Sequence, residues 1–132
     1  MLQEKRVLVV DDEPSIRAFV ARVLSRIGFV CSEASNAAEA LASVMSECPM
    51  LTITDIRMPG SDGTWLLAEL KERCPNMPVI MLTGVSEAET AVRCLKAGAA
   101  DYLVKPTEID ELVVSTQLAL ENVQRINEGR GH

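Results

Sequence analysis

The sequence predicts an α/β protein built on an open, doubly wound, five-stranded parallel sheet with five helices. Short apolar runs alternate five times with longer stretches whose apolar residues recur at helical spacing. The first, Val7-Leu8-Val9-Val10, is unbroken by polar residues, which is how a strand buried on both faces reads. The connections are too short for anything but right-handed crossovers, and five units are too few to close an eight-stranded barrel.

The elements follow in order. Val7-Leu8-Val9-Val10 is the first strand, and Pro14 opens a helix whose apolar face holds Ile16, Phe19, Val20, Val23, Leu24 and Ile27. Gly28 stops that helix, and Phe29 to Ala34 is the second strand. Asn36 caps a helix with Ala37, Leu41 and Val44 inward. Leu51 to Thr54 is the third strand, followed by a loop from Arg57 to Gly63 with the turn formers Pro59, Gly60 and Gly63. Leu66, Leu67 and Leu70 line a third helix that ends near Cys74-Pro75. Val79 to Leu82 is the fourth strand, and Ala88, Ala91, Val92 and Leu95 mark a helix closed by Gly98. Tyr102 to Val104 is the fifth strand, and Ile109, Leu112, Val113, Leu120 and Val123 form the last helix.

At 132 residues, with 48% hydrophobic and 24% charged, the chain suits one domain with a substantial core. We expect that domain at residues 1–128, with 129–132 a disordered tail or a remnant of cloning. The net charge of -6 argues against direct nucleic-acid binding, because phosphate backbones demand excess Lys and Arg. No apolar run approaches the roughly 20 residues of a membrane span, and Met1 to Arg6 lacks signal-peptide character. A cytoplasmic protein without a membrane partner is expected. Cys31, Cys48, Cys74 and Cys94 are widely spaced and read as reduced, mostly packed thiols. The lone histidine, His132, is the last residue, which excludes a hydrolase built on a histidine base.

In a doubly wound sheet, ligands bind beyond the C-terminal ends of the strands. Asp11-Asp12-Glu13 follow the first strand, Asp55 the third, Thr83-Gly84 the fourth and Lys105-Pro106 the fifth. Three carboxylates, a hydroxyl and an ammonium therefore converge from four strand ends. Each close carboxylate pair repels by about 4 kcal/mol at ~4 Å and an effective dielectric of ~20. A proton or a hard divalent cation relieves this, and all-oxygen ligands select Mg²⁺. Carboxylate, Mg²⁺, Lys and a hydroxyl donor suit phosphoryl transfer, and a carboxylate can itself become an aspartyl-phosphate.

These residues resemble the receiver domains of two-component response regulators. The resemblance rests on Val9-Val10-Asp11-Asp12-Glu13, Thr54-Asp55-Ile56-Arg57-Met58-Pro59-Gly60 with Asp62-Gly63, Leu82-Thr83-Gly84, and Gly98-Ala99-Ala100-Asp101-Tyr102-Leu103-Val104-Lys105-Pro106. It runs from about Arg6 to about Leu120. It implies a flavodoxin-like three-layer sandwich with strand order 2-1-3-4-5. It also implies Asp55 as phosphoacceptor, with Asp12, Asp55 and the backbone carbonyl of Arg57 ligating Mg²⁺, for which Mn²⁺ can substitute. Asp11 would act through water or hydrogen bonds. Lys105 would pair with Asp55 and later with the phosphoryl group, while Thr83 and Tyr102 would be the switch residues. The Lys105-Pro106 bond would be cis. The phosphodonor would be a histidine kinase, a histidine phosphotransfer protein or a small phosphodonor. The domain would be regulatory rather than an enzyme, although it assists its own phosphorylation and dephosphorylation. The surface it switches would be helix 4, strand 5 and helix 5, read by an output domain or a target protein. Departures from the family pattern are Met50-Leu51 before strand 3, Ser61, and Trp65 early in helix 3.

Two alternatives share the fold class: a flavodoxin-like binding domain and an Asp-nucleophile phosphatase. The acidic first loop would repel a flavin phosphate, and no second acid stands two positions after Asp55. Helix 5 has no Lys or Arg from Thr107 to Gln124, so a monomer or weak dimer is expected. Residues Ile109, Leu112, Thr116, Ala119, Val123 and Ile126 form a weak heptad, readable as a signalling helix or as an ordinary core helix fraying at Glu128-Gly129. By resemblance, Arg57 and Val85 border the path of hydrolytic water. Neither orients a nucleophile, so a persistent aspartyl-phosphate is expected.

Overall fold

The computed structural model describes residues 5–58 and 61–130, and their side chains except those of residues 61, 62, 85 and 126–130. The five-stranded sheet is formed by β1 (Arg6–Val10), β2 (Val30–Ala34), β3 (Leu51–Asp55), β4 (Val79–Thr83) and β5 (Asp101–Val104). All neighbours are parallel and the spatial order is β2-β1-β3-β4-β5, as expected. The helices are α1 (Pro14–Arg26), α2 (Ala37–Ser46), α3 (Gly63–Arg73), α4 (Ala88–Lys96) and α5 (Ile109–Arg130).

Alternation along each strand splits one apolar run between two cores. Val7 and Val9 pack with Val20, Leu24 and Leu112 on the α1/α5 side. Leu8 and Val10 pack with Val44, Leu66, Leu67 and Leu70 on the α2/α3/α4 side. Burying each such side chain contributes about 1.5–3 kcal/mol. The inner strands β3 and β4 are buried throughout, whereas edge strand β2 is only partly buried, which accounts for its mixed sequence Val-Cys-Ser-Glu-Ala. Phe29 was expected to open β2. Its amide instead donates to the Leu24 carbonyl and closes the end of α1.

Local chemistry fixes the helix starts. Asn36 accepts the Glu39 amide at 2.8 Å, and the Glu39 carboxylate accepts the Ser35 amide at 2.8 Å, a reciprocal cap for α2. Gly63 opens α3 because a Cβ there would lie 2.5 Å from the Ile56 carbonyl oxygen. The helix therefore presses directly on the residue after Asp55. The stretch expected as a plain loop contains a short antiparallel ribbon pairing Arg57–Met58 with Ser61–Asp62. The expected turn formers Pro59 and Gly60 lie outside the described residues.

Two further differences concern the ends of elements. The four cysteines are not all reduced: Cys48 and Cys74 form a disulfide, with Cα atoms 6.0 Å apart. They are 26 residues apart in sequence. Cys48 follows α2 and Cys74 follows α3, so packing of these helices on one sheet face joins their ends. Helix α5 runs to Arg130, two residues past the boundary expected at 128, and 131–132 lie outside the described residues.

Candidate functional site

Because every sheet strand runs the same way, the strand ends meet on one edge. Asp55 and Thr83 are the last residues of β3 and β4, Asp11 and Asp12 follow β1, and Lys105 follows β5. The structure brings these five together. Asp11, Asp12 and Asp55 each place a carboxylate oxygen within 4.8 Å of the others. Lys105 Nζ sits between two of them, 2.8 Å from Asp11 Oδ2 and 3.0 Å from Asp55 Oδ2. Glu13 Oε1 lies farther off at 3.8 Å. Asp11 is fully buried, Asp55 nearly so, and Asp12 is exposed at the mouth.

The electrostatics are unbalanced. One ammonium faces three carboxylates. Burial pushes the Asp55 pKa above its ordinary 3.8; Asp11's charge adds to this, against the opposing contacts of Lys105 and the Arg57 amide. Burial works against the Lys105 charge, but its close contacts with Asp11 and Asp55 outweigh that and hold its pKa above 10.5. Asp11 Oδ2 receives no well-directed hydrogen bond among the described residues, despite its ion-pair partner. Three carboxylates within 4.8 Å of one another, with one ammonium between two of them, keep excess negative charge in an all-oxygen cluster, which fits a hard divalent cation.

Backbone contacts fix the frame. The Asp11 amide donates to Ala34 at 3.1 Å, and Asp11 Oδ1 accepts the Glu13 amide at 2.9 Å. The Arg57 amide donates to Asp55 Oδ1 at 3.3 Å. The Lys105 amide donates to the Thr83 carbonyl at 2.7 Å, which ties the fifth strand end to the fourth. The Lys105-Pro106 bond is cis. Thr83 is buried, and its hydroxyl donates to the Gly84 carbonyl at 2.9 Å. Tyr102 is half-buried against the α2/α3/α4-side core.

Three partners were not anticipated. The Arg17 guanidinium donates to the Asp11 carbonyl at 2.6 Å and to Glu33 Oε1 at 3.2 Å, bracing the acidic turn from α1. Arg17 belongs to none of the motifs read from the sequence. Its place one turn into a helix that follows the acidic pair is the available signal. Glu13 was read with the acidic run but given no role. Glu87 pairs with Arg57 at 3.1 Å, joining the segment after β3 to the segment after β4. No local pattern announces a pair separated by 30 residues. The Arg57 side chain points to solvent, 77% exposed. The side chain of Val85 lies outside the described residues.

Comparison with known proteins gives this edge a family. The response regulator receiver domain model matches residues 7–117. The chain belongs to that family. It is 41% identical over 129 residues to the DNA-binding transcriptional regulator NtrC of Escherichia coli, covering 98% of this chain and 28% of that protein. It is also 41% identical over 126 residues to the nitrogen assimilation regulatory protein NtrX of Azorhizobium caulinodans, covering 94% of this chain and 28% of that one. The crystal structure of the receiver domain of NtrX from Brucella abortus superposes with a TM-score of 0.84 at 42% identity, covering 87% of this chain and 98% of that domain. The chain thus spans little more than a quarter of the curated relatives' length. It is a phosphoacceptor signalling domain of the response-regulator kind, a regulatory domain. Receiver domains typically bind Mg²⁺ at an acidic pocket, and here Asp11, Asp12 and Asp55 form an acidic cluster at the strand ends. Among the described residues no helix is long and apolar enough to cross a membrane.

Proposed function

We propose that Asp55 is the phosphoacceptor and that the surrounding edge of the sheet is its transfer site. The observation that carries this is the position of Lys105 Nζ between Asp11 and Asp55, with a third carboxylate within 4.8 Å. A carboxylate oxygen of Asp55 attacks the phosphorus of a phosphohistidine. The P–N bond breaks, and its electron pair stays with the imidazole. Lys105 exchanges its contact with Asp55 for one with the incoming phosphoryl oxygens. Asp12, Asp55 and the Arg57 carbonyl would hold Mg²⁺, or Mn²⁺ in its place, with Asp11 acting through water or hydrogen bonds. The cation, when bound, neutralises phosphoryl charge.

Thr83 then leaves the Gly84 carbonyl for a phosphoryl oxygen, and Tyr102 turns inward. The change is read on α4, β5 and α5, where Val92, Leu95 and Val104 stand exposed beside Arg93 and Lys96. The donor is a histidine kinase or histidine phosphotransfer protein in the cytoplasm. The named relatives support an output in transcriptional control, with nucleic acid contacted elsewhere than on this acidic domain. The domain turns over no external substrate and is a monomer or weak dimer before phosphorylation.

Labelling with acetyl phosphate and Mg²⁺ tests this reading. Asp55→Asn keeps the shape and loses the nucleophile, so incorporation should fall at least about 100-fold. Undiminished labelling would move the phosphosite elsewhere.

A further inference from the structure

We propose that Cys48 and Cys74 are a thiol–disulfide modification site, open to low-molecular-weight disulfides such as oxidised glutathione. It sets the stability of the domain without altering phosphoryl transfer. Their Cα atoms lie 6.0 Å apart, inside the span that a disulfide requires. The two positions differ in access: Cys48 is exposed at the end of α2, whereas Cys74 is only 3% exposed beneath the end of α3. An exposed cysteine paired with a buried one gives an entry thiol and a resolving thiol. Exposed disulfides are also the exchangeable ones.

The other two cysteines are poor competitors. Cys31 is half-buried and donates to the Ala21 carbonyl at 3.7 Å. Burial raises its thiol pKa, with the Glu33 charge adding to this and a Ser25 hydrogen bond opposing it, so little thiolate is present. Cys94 is fully buried in the α2/α3/α4-side core.

The chemistry balances without a further co-reactant. The Cys48 thiolate attacks oxidised glutathione, forming a mixed disulfide and releasing one glutathione thiolate. The Cys74 thiolate attacks Cys48 Sγ and releases the second. Two protein thiols are oxidised, one glutathione disulfide is reduced, and the two thiol protons go to the released glutathiones. Excess reduced glutathione runs the steps backwards from the exposed Cys48 side.

Placement sets the consequence. The closed loop contains β3 and α3, so oxidation restrains this part of the unfolded chain. Helix α3 starts against Ile56, beside Asp55, and ends at Arg73, so its 11 residues hold the thiol pair roughly 16 Å from the acidic edge.

The test equilibrates the full chain in glutathione buffers, quenches in acid, alkylates with N-ethylmaleimide and maps peptides. The oxidised parent should yield a peptide pair linking Cys48 to Cys74. Its urea midpoint should rise by about 1–2 M over the reduced form. Acetyl-phosphate labelling rates should agree within about twofold. Cys48→Ser, a change at an exposed position, should abolish the midpoint shift, and Cys74→Ser should trap glutathione on Cys48. A bridge to Cys31 or Cys94, a glutathione adduct that never closes in the parent, equal midpoints, or a labelling rate that follows oxidation would each overturn the proposal.

Discussion

The two edges of the sheet handle charge and constraint in opposite ways. At the N-terminal edge, opposite charges meet one to one at the surface: Arg6 with Glu47 at 3.4 Å and Arg73 with Glu69 at 3.0 Å. Such exposed pairs contribute about 0–1 kcal/mol each, and the edge is fastened covalently between Cys48 and Cys74. At the C-terminal edge the charges are mismatched and largely buried. Three carboxylates cluster around one ammonium that pairs with two of them, Asp11 and Asp55, and the sheet places them there whether or not a cation or phosphoryl group is bound. Function lies where ionic balance is missing, because only such a site gains strongly from a ligand.

Removing Lys105 should separate the two edges most sharply. Lys105→Ala leaves Asp11 and Asp55 facing each other without their cation, which should cost about 3–5 kcal/mol in a chelator. Added Mg²⁺ should recover part of that loss, because a ligand of the folded state stabilises it by mass action. Urea melts with and without Mg²⁺ measure both. Arg73→Ala at the other edge should cost under about 1 kcal/mol. Equal losses at the two positions would erase the contrast.

Protonation gives a smaller effect with a defined sign. The Asp55 pKa is raised in the fold, chiefly by burial, so the folded state holds this proton more tightly than the unfolded chain does. The resulting stabilisation is full below the ordinary 3.8 and is lost as pH rises through the raised value. In chelator, Asp55→Asn should therefore be more stable than the parent at neutral pH, the difference closing as pH falls toward the ordinary carboxylate range. A parent that outlasts the variant at neutral pH would reverse the sign. The raised Lys105 pKa acts at the alkaline end: its contribution is present below 10.5 and is lost as pH rises through the folded value.

The smallest effect concerns Arg57. Its side chain pairs with Glu87 and so ties the segment after β3 to the segment after β4. The expected role is shielding of the phosphoryl group. Phosphate release from prephosphorylated Arg57→Ala should be a few-fold faster than from the parent, while slower release would make the arginine a promoter of hydrolysis.

Much of this edge was readable before any coordinates. Parallel strands force their C-terminal ends together, so Asp11, Asp12, Asp55, Thr83 and Lys105 converge once the strands are placed. The register alone delivers them. Arg17 and Glu87 were not readable, because their contacts depend on how a helix rotates on the sheet and on the path of the segment after β4. The Cys48–Cys74 bridge was missed for a related reason. Compartment-based reasoning predicts reduced thiols, and only the packing of α2 on α3 shows that their ends meet. The ribbon at 57–58 and 61–62 escaped because two-residue strands carry no periodicity.

The central claim is that the buried, Lys105-contacted carboxylate of Asp55 receives the phosphoryl group. Phosphorylation with acetyl phosphate and Mg²⁺, borohydride reduction of the acyl phosphate, and peptide mass spectrometry locate it directly. Reduction converts a phosphorylated aspartate to homoserine. We expect homoserine at position 55 and aspartate intact at positions 11 and 12. Homoserine at 11 or 12 with Asp55 unmodified would contradict the account.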